Sequence, residues 1–191
     1  MKNFALINAI LVALLISGCA TKKETIEITE CNFPDNPSVA APLWVCGGAV
    51  EGVAISAVGS TPKSKAGVNF MTQQATANGR VVLAQQIQAD IQAMVKNFTE
   101  TTGSLDSETV DQVNSLVSKQ ITNQRLQGTR VFKQTVSPNG TLYVLVGFDS
   151  AIYNSFVKES LNTSYQNNQA QWQRILSDRS FNELEASISK Q

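Results

Sequence analysis

RVFKQTVSPNGTLYVLVGF, residues 130–148, decides how this chain folds. Arg130 to Ser137 and Thr141 to Phe148 are strand-like runs, joined through Ser137-Pro138-Asn139-Gly140. Proline presets one backbone angle and Asn-Gly tolerates the left-handed region, so the junction reads as a tight hairpin turn. Leu142-Tyr143-Val144-Leu145-Val146 is almost wholly apolar, which predicts a central strand.

Reading outward from the hairpin supplies the covers. Downstream, Asp149-Ser150 can cap a last helix, with Ile152, Phe156 and Val157 docking back on the sheet. Upstream, Val110, Val113, Val117 and Ile121 mark one face of a helix over 106–125. Ala84, Ile87, Ile91, Met94 and Phe98 recur at steps of three and four in a longer helix over 63–101. Gly67 and Gly79 fall inside that helix, each at a cost of about 1 kcal/mol against alanine. Gly79 therefore reads as a point of close packing against the sheet. Two further strands are predicted at Leu43-Trp44-Val45-Cys46 and over 52–59. The fold class is α+β: a small sheet of about four strands with an antiparallel hairpin, packed by two or three helices, the last a long C-terminal helix over 150–188.

The chain after Leu161 changes character. Residues 162–171 are almost wholly polar, with Tyr165 the one large apolar residue, and an apolar face returns at Trp172, Ile175 and Leu176, then at Phe181, Leu184 and Ile188. Either the helix crosses solvent and packs its end again, or it projects and presents Tyr165, Trp172, Ile175 and Leu176 to a neighbouring copy or partner. The organisation is thus a leader over 1–18, a tether over 19–42, an α/β domain over 43–160 and a helical extension over 161–191.

The beginning of the chain carries an address. Lys2 precedes a mostly apolar run from Phe4 to Ile16, which ends in Leu15-Ile16-Ser17-Gly18-Cys19. This is the build of a secretory signal, too short to span a bilayer permanently. A cysteine directly after the small-residue cleavage site predicts lipidation of Cys19, several acyl chains being what stable retention requires. Ala20 is not the aspartate of an inner-membrane retention signal, so the expected location is the outer membrane. Cys31 and Cys46 remain as an even pair in an oxidising compartment. Their disulfide would close a 15-residue loop and pin the end of the tether to the first strand; two unpaired thiols or a metal site are the alternatives. With no histidine in the chain, a metal site is poorly supplied with ligands.

Composition excludes several classes. The chain has 15 basic and 15 acidic residues, and Lys2 is the only charge in 1–18. The remainder carries 14 against 15, which provides no basic field for nucleic acid. Without histidine the commonest general base is missing. Ser60-Thr61-Pro62-Lys63 and Ser187-Ile188-Ser189-Lys190 match a serine-lysine spacing, but the Ser-Asp-Asn and Lys-Thr-Gly companions are absent. Glu24, Glu27 and Glu30 lie in the tether, while Asp106, Glu108 and Asp111 favour a helix start. Gly47-Gly48 suggests a bulge or a close backbone crossing rather than a phosphate loop. Trp44 could line a sugar-binding face or belong to the core. No catalytic residue, cofactor or metal is expected, and the chain is read as a non-enzyme.

Together Pro42-Leu43-Trp44-Val45, then Val58-Gly59-Ser60, then a helix carrying Ala75, Ala77, Arg80, Leu83-Ala84 and Ile87 resemble a bacterial family named after a twenty-kilodalton surface lipoprotein. Tyr143-Val144-Leu145-Val146 followed by Asp149 looks like that family's later hairpin. The resemblance covers about residues 42–150. It departs at Gly79, where alanine is usual, at Cys46, and in the length of the extension after Leu161. It implies a small α/β domain held at the outer membrane, with no catalytic residues to carry over; some relatives are flagellar and support motility, others are surface antigens. The expected function is structural: self-association, or association with envelope or flagellar proteins, through the sheet edge or the 161–188 helix. Binding of an envelope polymer, peptidoglycan or lipopolysaccharide, is the alternative.

Overall fold

The computed structural model describes residues 30–102, 107–123, 126–176 and 178–188. In chain order these form β1 (Asn32–Phe33), β2 (Asn36–Ala40), a 3-10 turn (Leu43–Cys46), β3 (Ile55–Thr61), α1 (Val68–Thr102) and α2 (Ser107–Asn123). After them come β4 (Arg130–Val136), β5 (Leu142–Phe148), α3 (Ser150–Asn167), α4 (Gln169–Ile175) and α5 (Asp178–Ile188). The class is α+β, as expected. The strands are divided between an antiparallel three-stranded sheet, ordered β3-β5-β4, and a separate β1-β2 hairpin.

The predicted hairpin is present, with β5 at the centre of its sheet. Ser137 and Thr141 close the turn, Ser137 N–H donating to the Thr141 carbonyl at 2.9 Å. Val136 lies opposite Leu142 and Arg130 opposite Gly147, with a bulge between Val131 and Lys133. On the other side Ile55 to Thr61 pair with Phe148 to Leu142 in unbroken register. Every residue of β5 is buried. Alternate side chains leave the strand on opposite faces: Leu142, Val144, Val146 and Phe148 join the main core beneath the helices. Tyr143 and Leu145 join a second cluster with Cys31, Phe33, Trp44 and Val45.

Four expectations are corrected. Leu43 to Cys46 is a 3-10 turn rather than a strand. Pro42 (φ −56°) and Gly47 (φ 89°) bracket it, and the turn lets consecutive Trp44 and Val45 both reach the interior, which the alternation of a strand would prevent. Residues 31–41, read as the end of the tether, belong to the folded body. The long helix begins at Val68 instead of 63; the Ser64 hydroxyl accepts from Ala66 N–H at 3.2 Å, a local turn that competes with the helix. The expected C-terminal helix is three helices, and α3 runs through the expected boundary at 160–161. It ends where Asn168 departs from helical angles (φ −140°).

The buried face of α1 explains how one helix serves two partners. Met71, Ala75, Gly79, Leu83, Ile87, Ile91, Val95 and Thr99 are buried at steps of four. Each such step overshoots a turn by about 40°, so the buried stripe winds round the helix. Its first half lies on β3 and β5 and the helix goes on to pack against α2. At the sheet, Gly79 faces Gly59: a side chain on Gly59 would penetrate the Ala75 carbonyl and the Gly79 amide and sit 2.8 Å from Gly79 Cα. Gly79 is thus the close crossing that the sequence suggested.

α2 is buried through Val110, Val113, Val117 and Ile121, the predicted face. Asp149 caps α3, its carboxylate accepting from Ile152 N–H at 3.0 Å. Phe156 and Val157 dock as expected, while Ile152 is 42% exposed.

Candidate functional site

The β1-β2 hairpin is fastened over one face of the sheet at two points. Cys31 and Cys46 form the expected disulfide, S–S 2.00 Å, tying the hairpin to the 3-10 turn. At its turn, Asp35 accepts from the Ser137 hydroxyl at 2.6 Å and the Tyr143 phenol at 3.0 Å. The Asp35 carbonyl also accepts from the Asn139 amide at 2.6 Å. The hydrogen bond from Ser137, against an opposing desolvation, holds the Asp35 carboxyl below its ordinary value of 3.8. Burial, and next the hydrogen bond to Asp35, push the Tyr143 phenol up. Phe33 packs on Tyr143 with ring centroids 5.7 Å apart. Sequence reasoning misses Asp35, because its partners lie about a hundred residues away and no local pattern announces them.

The expected interface residues lie elsewhere than expected. Tyr165, Trp172 and Leu176 are 7%, 0% and 2% exposed and belong to the main core. Tyr165 and Phe181 stack at 4.0 Å, and Trp172 meets Phe181 edge-on at 5.3 Å. The Trp172 indole N–H donates to the Ser164 hydroxyl at 3.2 Å. The break at Asn168 is what folds these rings inward; a continuous helix would carry Trp172 past the core. The side chain of Ile175 and the whole of Cys19 lie outside the described residues.

The other candidates find structural places. Ser60 and Lys63 are exposed, and the Ser60 carbonyl accepts from the Asn78 amide at 2.9 Å. Trp44 is a core residue at 8% exposure. Glu108 and Asp111 are exposed on the first turns of α2, and Asp106 lies outside the described residues. Gly47 caps the 3-10 turn, and a side chain on Gly48 would meet the Leu43 carbonyl at 2.8 Å. Among the described residues, no three His, Cys, Asp or Glu side chains converge, and no helix is long and apolar enough to cross a membrane.

Among the described residues, what the sheet leaves open is β4. It ends the sheet order, α1 covers β3 and β5, and Val131 and Val136 are 38% and 54% exposed. Arg130 lies over the Phe132 ring at 4.6 Å and 3.8 Å from Asp149, and Lys133 is exposed.

The geometry is that of a small α+β body whose polar groups fasten elements together and whose sheet, among the described residues, has an open edge at β4. Over residues 42–149, more than half of the chain, it matches the LPP20 lipoprotein family. The chain belongs to that family, as the motifs at Pro42 to Val45 and Val58 to Ser60 suggested. No curated protein matches it. The matched span contains the three-stranded sheet with α1 and α2; Cys31, Asp35 and the helices α3 to α5 lie outside it.

Proposed function

We propose that this protein is a non-catalytic, lipid-anchored module of the outer membrane that works by assembly. Cys19 carries the anchor, and the partners are further copies or other proteins of the envelope, a flagellar basal structure being one such assembly. Membership of a lipoprotein family supports the anchor. The observation that carries the assembly reading is the β4 edge, with its exposed Val131 and Val136, since an unpaired strand offers backbone donors and acceptors to another chain. Burial of Tyr165, Trp172 and Leu176 takes away the expected helical interface, so the reading rests on the sheet edge, the other expected contact.

Size-exclusion chromatography with light scattering on residues 20–191 tests this, together with sedimentation of the same protein with purified sacculi and with lipopolysaccharide. Oligomers without saturable polymer binding are expected. A monomer at every concentration that binds either polymer saturably would replace assembly with polymer binding.

A further inference from the structure

We propose that the β1-β2 hairpin is a redox-gated strap: a dithiol that reduces Cys31–Cys46 frees it to swing off the sheet while the helical side of the molecule stays folded. The inference stands without the assembly reading. The two strands form a sheet of their own, and Ala41 N–H closes the base on the Cys31 carbonyl at 2.8 Å. Among the described residues, no backbone hydrogen bond joins the hairpin to the three-stranded sheet. A lone two-stranded hairpin is only marginally stable, so its position depends on its fasteners.

Those fasteners are separate from the main core. Cys31 and Phe33 bury against Trp44, Val45, Tyr143 and Leu145, a cluster distinct from the one beneath the helices. Asp35 holds the turn through Ser137, Tyr143 and Asn139, and the disulfide holds the base. With the disulfide closed, both ends of the hairpin are covalently tied to the body, Cys31 through Cys46 and Ala41 through Pro42. With it open, the hairpin pivots on Ala41-Pro42 alone. Closing the 15-residue loop then costs chain entropy, and the closed state loses about a hundredfold against the open one. The span shared with the family starts at that pivot, at residue 42, so the strap lies outside the shared body.

The two cysteines stand in different surroundings. Cys31 is buried, at 7% exposure, whereas Cys46 is exposed on the 3-10 turn, the side from which a thiolate can reach the bond. One thiolate of the dithiol attacks Cys46 Sγ, forming a mixed disulfide and expelling Cys31 as its thiolate. The second thiolate attacks the reductant's own sulfur in that mixed disulfide and releases Cys46. The dithiol leaves as a disulfide, two electrons pass to the protein, and water protonates the two cysteine thiolates. Opening uncovers Tyr143, Leu145 and Phe132. Phe132 lies on β4, so the freed apolar face runs on to the open edge of the sheet.

The test uses residues 20–191, which keep every residue of the described fold and have Cys31 and Cys46 as their only cysteines. Dithiothreitol without denaturant is expected to reduce the bond. Iodoacetamide then labels Cys46 at once and Cys31 only when the strap opens, read by mass spectrometry of the two peptides. Below the unfolding transition the Cys31 rate is expected to be nearly independent of urea. In Asp35→Asn, which weakens the second fastener, it is expected to be about tenfold faster. The doubly labelled protein is expected to keep its helical circular dichroism and to bind an apolar dye at the uncovered face. A bond that resists dithiothreitol until urea unfolds the chain would overturn the proposal. So would a Cys31 rate that climbs with urea as steeply as global unfolding, or loss of helix in the doubly labelled protein.

Discussion

Replacing Gly59 by alanine tests the account of how α1 meets the sheet. The new methyl would penetrate the Ala75 carbonyl and the Gly79 amide, both backbone groups of α1, and lie 2.8 Å from Gly79 Cα. No rotamer relieves such a clash; the helix must lift from β3 and β5, opening the contacts of Ala75, Leu83 and Val146. Overpacking of this kind costs about 1–3 kcal/mol and more where backbone must move, so about 3 kcal/mol is expected. With a urea dependence of about 2 kcal/mol per molar, the midpoint falls by about 1.5 M. Gly79→Ala is the internal control. Its methyl meets Val146 Cγ2 at 3.0 Å and Gly59 N at 3.1 Å, a tightness a valine side chain can partly relieve. The gain in helix propensity, about 1 kcal/mol, offsets part of the cost. Urea unfolding of residues 20–191, followed by circular dichroism, should place Gly59→Ala well below Gly79→Ala. Equal midpoints, or Gly59→Ala within about 1 kcal/mol of the unsubstituted protein, would refute the contact.

Three other outcomes are expected. Cys46→Ala, or reduction, releases a 15-residue loop and should lower stability by about 3 kcal/mol in the chain-entropy model; unfolding with and without reductant checks this. Trp172→Ala removes a fully buried ring and should cost about 3–5 kcal/mol, measured by urea unfolding; a surface-like cost below about 0.5 kcal/mol would contradict its burial. Asp35→Asn should destabilise at neutral pH, because a carboxyl held below 3.8 contributes stability present above that value and lost as pH falls through its lower folded value. The difference between the two proteins should therefore shrink in acid, which thermal unfolding across pH would show.

Much of the fold was legible because its signals are local. The Pro-Asn-Gly turn, the apolar run of β5, the Val110-Val113-Val117-Ile121 face and the Asp149 cap each arise from neighbouring residues, and each formed where the pattern placed it. Val131 and Val136 illustrate the limit. The run from Arg130 to Val136 marks a strand, but whether a helix covers its valines depends on where α1 sits, and α1 is placed by Gly59 and Gly79.

By itself the sequence determined the family, the class α+β and the centre of the sheet, and it left Cys31 and Cys46 as an even pair whose bond the structure shows, because turn chemistry, periodicity and parity are written in short range. Tertiary structure alone decided that residues 31–41 cover the sheet, that Asp35 grips a turn about a hundred residues away, and that Tyr165 and Trp172 are core. A stripe of aromatic residues has the same pattern whether it faces a partner or folds back after one break at Asn168. The difference lies in the direction the chain takes there, which packing against Phe181 and Ser164 settles and local propensity does not.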